Sequence, residues 1–211
     1  MAASSIDQLE QDLNWREAEL GSMKIAVLEA PAGSVRQRTL LRAAWALLYA
    51  HYEGFTKFAW DLYLEALERK GMTRRDVCEE LASFSLSKQF QALKTSMPIH
   101  EIWHFCAHEF SNQMTQPLAF ETRLETQSNL WPELFRKNNE KIGVLCSQIS
   151  LEEMRIKSLV GRRNAIAHGE KLEIKDVREY QIYENSVILV LHDLALAIVE
   201  NLSTGSFLAP T

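Results

Sequence analysis

"RQRTLLRAAWALLYAHYEGFTKFAWDLYLEALERKG", residues 36–71, decides the fold. Leu41, Trp45, Leu48, Tyr52, Phe55, Ala59, Leu62 and Ala66 recur at alternating steps of four and three. That is the period of an α-helix and not of a strand. Gly71 is placed to cap the C-terminus, and Arg69 and Lys70 suit the negative end of the helix dipole. The apolar face is broad, so several other helices must pack on it.

The flanking sequence supplies them. Ile6, Leu9, Leu13 and Leu20 mark a first amphipathic helix that ends before "APAGS" at 30–34. Residues 72–149 are less regular and read as an irregular helical insertion within a single domain spanning 1–211. They hold short helices near 73–82, 88–96 and 98–111, then a loop. "TQSNLWPEL" at 126–134 reads as a turn into another short helix with Pro132 near its start. Ser150 and Glu153 have the spacing of a capping box, which predicts a helix through "LEEMRIKSLVGRRNAIAH". A final helix is expected from Asp176 to Leu202. No useful alternating pattern and no internal repeat occurs, so the expected class is all-α.

Composition narrows the function. Hydrophobic residues make up 46% and charged residues 24%, as in ordinary globular proteins. The net charge of −5 excludes a broad basic surface, so a nucleic-acid contact would be a local patch. Cys78, Cys106 and Cys146 are few, odd in number and far apart, which predicts a reducing, cytoplasmic setting. The N-terminus carries acids where a secretory signal needs basic residues. The longest apolar stretch, Val187–Val199, is broken by His192 and Asp193 and is short of the ~20 residues of a membrane span. It is expected to be a buried helix, with no membrane partner.

Two stretches compete to carry the chemistry. "HEIWHFCAHEF" at 100–110 contains H-E-x-x-H in His100, Glu101 and His104. Histidines one turn apart can share a zinc ion, and the glutamate can polarise its bound water. A catalytic zinc needs a third protein ligand. On a straight helix His108 sits about 12 Å along the axis from His100, too far for one ion. The ligand would have to be Glu121 or Glu125, no glycine occurs between His104 and Gly143 to turn the chain back, and no sheet is available to bind a peptide. The plainer expectation is a helix with Ile99, Trp103, Cys106 and Phe110 packed inward and the histidines on its flank. No metal and no cofactor is expected.

The competitor is "GRRNAIAHGE" at 161–170. Arg163 and His168 are spaced R-x4-H, with polar Asn164 after the arginine, small Ala165 and Ala167, and Gly169 following. As a bare pattern this is weak, and an Arg–His–Asn cluster at a helix end often only caps carbonyls. Here the resemblance is wider. "LVGRRNAIAHGE" resembles the signature of HEPN domains (higher eukaryotes and prokaryotes nucleotide-binding). "LLRAAWALLYAHYEGFTKFAWDLYLEAL" is similar to the long helix of HEPN-like nucleases of bacterial defence and toxin–antitoxin loci. "MAASSIDQLEQDLNWREAEL" and "ETQSNLWPELF" also look like segments of that group.

The resemblance implies a HEPN-type all-α helical bundle with a long central helix and additional short helices. It implies a homodimer that acts as a metal-independent endoribonuclease, as a toxin or anti-phage defence effector with an antitoxin or other defence partner. The residues make this chemistry reasonable. RNA carries its own nucleophile, the 2′-hydroxyl. A histidine, with an ordinary pKa of ~6.5, can move a proton near neutrality, and an arginine fork suits a phosphate and its developing charge. The expected roles are Arg163 as phosphate clamp, His168 as acid/base and Asn164 as orienter. Arg162 is either a phosphate contact or a surface charge. Glu53, polar in an apolar helix, pairs with Arg163, orients His168 or is simply solvated. Tyr183 is a further candidate.

Geometry constrains the site. Five residues on a regular helix rotate about 500°, leaving Arg163 and His168 about 140° apart. Either the helix ends at His168–Gly169, or Arg163 reaches around it, or two copies complete a shared site across a two-fold axis. Near the motif Arg155, Lys157, Arg162, Arg163, Lys171, Lys175 and Arg178 are interleaved with Glu152, Glu153, Glu170, Glu173 and Asp176. The small surplus suits a focused cleft for a short RNA element. "ERKGMTRRD" at 68–76 reads as a solvated basic loop. A catalytically silent HEPN module that binds a nucleotide or a partner protein is the alternative, and a zinc peptidase the third reading.

Overall fold

The computed structural model describes residues 4–210, and among them the regular structure is all helical, without a strand. Four helices form the frame: α1 (Ser5–Glu29), α2 (Val35–Glu68), α9 (Glu153–Ala167) and α10 (Val177–Thr204). Between α2 and α9 the chain runs through a 3₁₀ turn (Arg74–Asp76), α3 (Glu79–Ser85), α4 (Ser87–Thr95), α5 (Ile99–His104), a π-turn (Phe105–Glu109), α6 (Phe110–Thr115), α7 (Pro132–Lys141) and α8 (Gln148–Leu151).

The central helix is α2, about 51 Å long at 1.5 Å per residue. It packs against α1, α9 and α10. Its apolar period is dense enough to bury residues on several sides, among them Trp45, Leu48, Tyr52, Phe55, Trp60, Tyr63 and Leu67. Aromatic side chains with a polar end do two jobs here. The Trp45 indole donates to the Leu159 carbonyl of α9 at 3.2 Å, and that of Trp60 donates to Asn139 Oδ1 of α7 at 2.6 Å. The segment 72–149 shares the same core through Leu81, Phe120, Leu124, Leu130, Phe135 and Val144.

Helix ends follow the sequence in most places. Gly71 and Gly205 take the left-handed conformation past α2 and α10, and Asp176 accepts the Glu179 amide at the start of α10. The expected capping box at Ser150 and Glu153 does not form. Ser150 lies inside α8, Glu152 is the N-cap of α9, and the Glu153 carboxylate instead takes Lys157 and Arg136. One cation a turn along the same helix and one brought by tertiary packing from α7 outcompete one backbone amide.

The stretch 98–111 also differs from expectation. Ile99, Trp103, Cys106 and Phe110 are exposed, Ile99 at 87% and Trp103 at 72%. Phe105 points inward instead and clusters with Phe110, which meets Phe90 of α4. This helix lies at the edge of the molecule, so one buried phenylalanine is enough to seat it.

The expectation that Val187–Val199 is too short for a membrane span also needs correction. α10 has an eighteen-residue window of mean hydropathy 1.6 and is long and apolar enough to cross one. In this fold it is a core helix: Tyr180, Val187, Val190, Leu191, Leu194 and Ile198 are buried against its neighbours. Ile182, Leu189 and Leu196 remain exposed on its other face.

Candidate functional site

The R-N-x-x-x-H motif occupies the last turns of α9. The helix ends at Ala167, with His168 as C-cap. The Gly169 amide bonds the Ile166 carbonyl and the Glu170 amide bonds the Ala165 carbonyl, at 3.1 and 2.9 Å. That pair is the Schellman motif. It requires a left-handed residue at Gly169, whose φ is +76°. A glycine in this position is what stops the helix one residue after the histidine. His168 is therefore exposed at a helix terminus, and its imidazole has no hydrogen-bond, ion-pair or ring partner among the described residues.

Arg163 has the opposite setting. Its guanidinium lies over the Tyr49 ring, 4.1 Å from the centroid. Nη1 donates to Asn129 Oδ1 at 3.1 Å and to Asn164 Oδ1 at 2.9 Å, while Nη2 is 3.9 Å from Glu53 Oε2. The Tyr49 ring is itself held, because its hydroxyl accepts the Leu130 amide at 2.9 Å. Burial pushes the Tyr49 phenol up, so it stays a neutral platform. Loop residues 129 and 130 thus grip both the ring and the cation stacked on it. Two residues earlier, Gln127 has φ +55°, a left-handed backbone found at no other non-glycine among the described residues. Such backbone costs about 1–3 kcal/mol and persists only where its surroundings hold it.

The structure thus joins Arg163, Asn164 and Glu53, and adds Tyr49 and Asn129. Asn164 touches the arginine with its side chain and His168 only through its backbone carbonyl, which accepts the His168 amide. No contact links the Arg163 and His168 side chains. Arg162 turns to the other side. It bonds Glu179 of α10 at 2.6 Å and lies over the rings of Trp45 and Tyr183, at 5.0 and 5.5 Å. Despite its burial, Glu179 is held low by the Lys175 amide and Arg162. Arg162 is thus a tie between α9 and α10 and not a free surface charge, and Tyr183 belongs to the same tie.

Sequence reasoning missed Asn129 and Tyr49. Asn129 sits within "TQSNLWPEL", a segment singled out for its turn, but nothing in its spacing points to Arg163, thirty-four positions on. Tyr49 falls within the long helix yet outside its recurring apolar series.

The zinc motif has a different geometry. His100 pairs loosely with Glu101 at 3.9 Å, His104 with Glu109 at 3.1 Å, and the rings of His104 and His108 are 5.1 Å apart. Among the described residues no three His, Cys, Asp or Glu side chains group as a metal ion would require. Neither Glu121 nor Glu125 joins the histidines: Glu121 pairs with Lys88, and the Glu125 carbonyl bonds Asn138.

An all-helical frame with this motif closing a helix defines a HEPN domain. A family described as HEPN_MAE_28990-like HEPN matches residues 5–207, and the chain belongs to it. The family consists of nucleotide-binding and RNase-like modules, and HEPN domains are often RNases. No curated protein and no solved structure matches the chain.

Proposed function

We propose that this chain is an endoribonuclease that cleaves RNA without a metal ion, by attack of the substrate's own 2′-hydroxyl. The observation that carries the reading is His168, an unpartnered imidazole at the end of a motif helix that also fixes an arginine. In the reaction the 2′-oxygen bonds to phosphorus and the P–O5′ bond breaks. One proton leaves the 2′-hydroxyl and one reaches the departing 5′-oxygen, leaving a 2′,3′-cyclic phosphate and a 5′-hydroxyl. His168 serves as acid or base, Arg163 stabilises the phosphate charge, and Asn164 and Glu53 orient Arg163.

One chain holds its arginine and histidine apart, which favours a homodimer in which two copies of the motif share a groove. Exposed Ile182, Leu189 and Leu196 on α10 and Met154 on α9 offer apolar surface for a second copy. A toxin or anti-phage role in the cytoplasm, with an antitoxin or other defence partner, fits such an enzyme. A catalytically silent module is the second reading. It is favoured by the hold of the chain itself on Arg163, whose Nη1 bonds both Asn129 and Asn164 and whose guanidinium lies over Tyr49.

The test is cleavage of mixed RNA by purified protein in EDTA, with the 3′ ends analysed for cyclic phosphate. Activity that disappears in His168→Ala is expected. Cleavage persisting in both His168→Ala and Arg163→Ala removes this site, and no cleavage of any RNA by wild type favours the silent module. Mixing His168→Ala subunits with wild type tests the shared groove, since activity should then fall faster than the wild-type fraction.

A further inference from the structure

The motif helix itself has little positive charge to offer a polyanion. Arg155 pairs with Glu152 at 2.6 Å, Lys157 with Glu153 at 2.6 Å, Arg162 with Glu179 at 2.6 Å, and Arg163 faces Glu53. The unpaired cations lie elsewhere. A cleft of about 310 Å³ opens beside the C-terminus of α9, lined by Arg38 and Arg42 of α2 and by Gly169–Ile174 of the connection to α10. Gly169 lines the cleft and follows His168 in the chain, so the cleft begins one residue from the imidazole.

Arg38, Arg42 and Lys171 make no ion pair among the described residues. Arg38 and Arg42 stand four residues apart on α2, so both present to the same side. Arg42 Nη1 donates to the carbonyls of Glu170 and Leu172, both at 3.0 Å. This bond pair straps the connection to α2, and the other donors of Arg42 have no partner among the described residues. Arg38 is exposed and bonds the Gly33 carbonyl. Glu170 and Glu173 share the rim. The cleft is therefore only modestly cationic, and at the small end of ligand clefts in size. That suits a few phosphates of one flexible strand and not the two grooves that duplex RNA presents.

We propose that Arg38, Arg42 and Lys171 bind backbone phosphates of single-stranded RNA and lead the strand to His168. This rests on the ribonuclease reading and places the substrate path off the motif helix, on α2 and the 169–174 strap.

The test measures binding in the His168→Ala background, so that RNA is not consumed, by anisotropy of a fluorescein-labelled single-stranded RNA of mixed sequence. Arg38→Gln/Lys171→Gln removes two exposed cations and leaves the Arg42 strap intact. Arg75→Gln/Lys94→Gln makes the same charge change at other exposed positions. The cleft variant should bind roughly ten-fold more weakly, and its plot of log K against log salt should be shallower by about 1.4, at ~0.7 per lost contact. The control should bind like His168→Ala alone. Equal affinity of the two double variants overturns the proposal and leaves the ribonuclease reading standing. Wild-type protein that neither binds nor cleaves RNA overturns both. Circular dichroism verifies that each variant is folded.

Discussion

Arg163→Lys separates the two halves of the motif, because the structure gives Arg163 and His168 opposite relations to the fold. Lysine keeps the charge, the apolar stem and nearly the same helix propensity. It loses the planar fork, so it cannot lie flat on Tyr49 and also bond both Asn129 and Asn164. One charge-assisted hydrogen bond is lost, about 1.5 kcal/mol at the low end that suits a side chain 28% exposed. The ring contact adds about 0.5 kcal/mol. The Glu53 pair, at 3.9 Å and reached by either cation, is given no weight.

The total is about 2 kcal/mol, a drop in melting temperature of roughly 4–8 °C for a chain of this size. His168→Ala, which removes an exposed side chain without a hydrogen-bond, ion-pair or ring partner among the described residues, should melt within about 0.5 kcal/mol of wild type. Both are measured by thermal melts in circular dichroism, and cleavage is assayed well below either transition. Both variants should lose activity, Arg163→Lys by about 10²–10³ if the fork stabilises the phosphate. If Arg163→Lys melts with wild type, the clamp does not act. If it melts early yet cleaves at the wild-type rate, Arg163 is a structural pin and its phosphate role is wrong.

Further expectations concern the frame of the site. Gly169→Ala forces a side chain into the left-handed position that ends α9 and should cost about 1–2 kcal/mol. Gly161→Ala, mid-helix with open space around it, should stabilise by about 0.5–1 kcal/mol, and urea midpoints moving in the same direction would contradict this. His51 is buried between α1 and α2; its burial and Arg16 depress its pKa despite Glu19 at 2.8 Å. The unfolded chain then takes up a proton that the folded one resists. This contribution to stability is full above the ordinary value of about 6.5 and lost as pH falls below it. Urea midpoints should therefore drop on acidification in wild type and less steeply in His51→Gln. His100→Gln/His104→Gln should retain cleavage, and stoichiometric zinc that survives dialysis and is lost in that variant would reverse the reading of H-E-x-x-H.

How much of this was legible depends on whether a residue's partner is local. The long helix could be read because its apolar period carries its own evidence, and the stops at Gly71 and Gly169 because each glycine takes a backbone that other residues resist. The Ser150–Glu153 box does not form, and half of the reason is not local: Lys157 is one turn along α9, but Arg136 arrives from α7. The same holds for Ile99 and Trp103, whose helical spacing is sound but whose side chains are left exposed. Periodicity reports that a face exists and is silent on what covers it.

The site divides along the same line. That Arg163 and His168 would not share a helical face follows from the 3.6-residue period alone, and Gly169 marks where the helix must stop. Which side of α9 the arginine would take did not follow, because the answer lies in the 129–130 turn. Two features of that turn act together. Leu130 donates its amide to Tyr49, which fixes the platform, and Asn129 presents its amide oxygen to the cation on that platform. Both depend on the chain reversing in time, and Gln127 takes the unfavourable left-handed backbone just before them. A turn free of this constraint would have no reason to adopt it. The strain at Gln127 is therefore best understood as the cost of bringing Asn129 and Leu130 to α2 and α9 together, which makes this loop, and not the motif helix alone, what sets the position of Arg163.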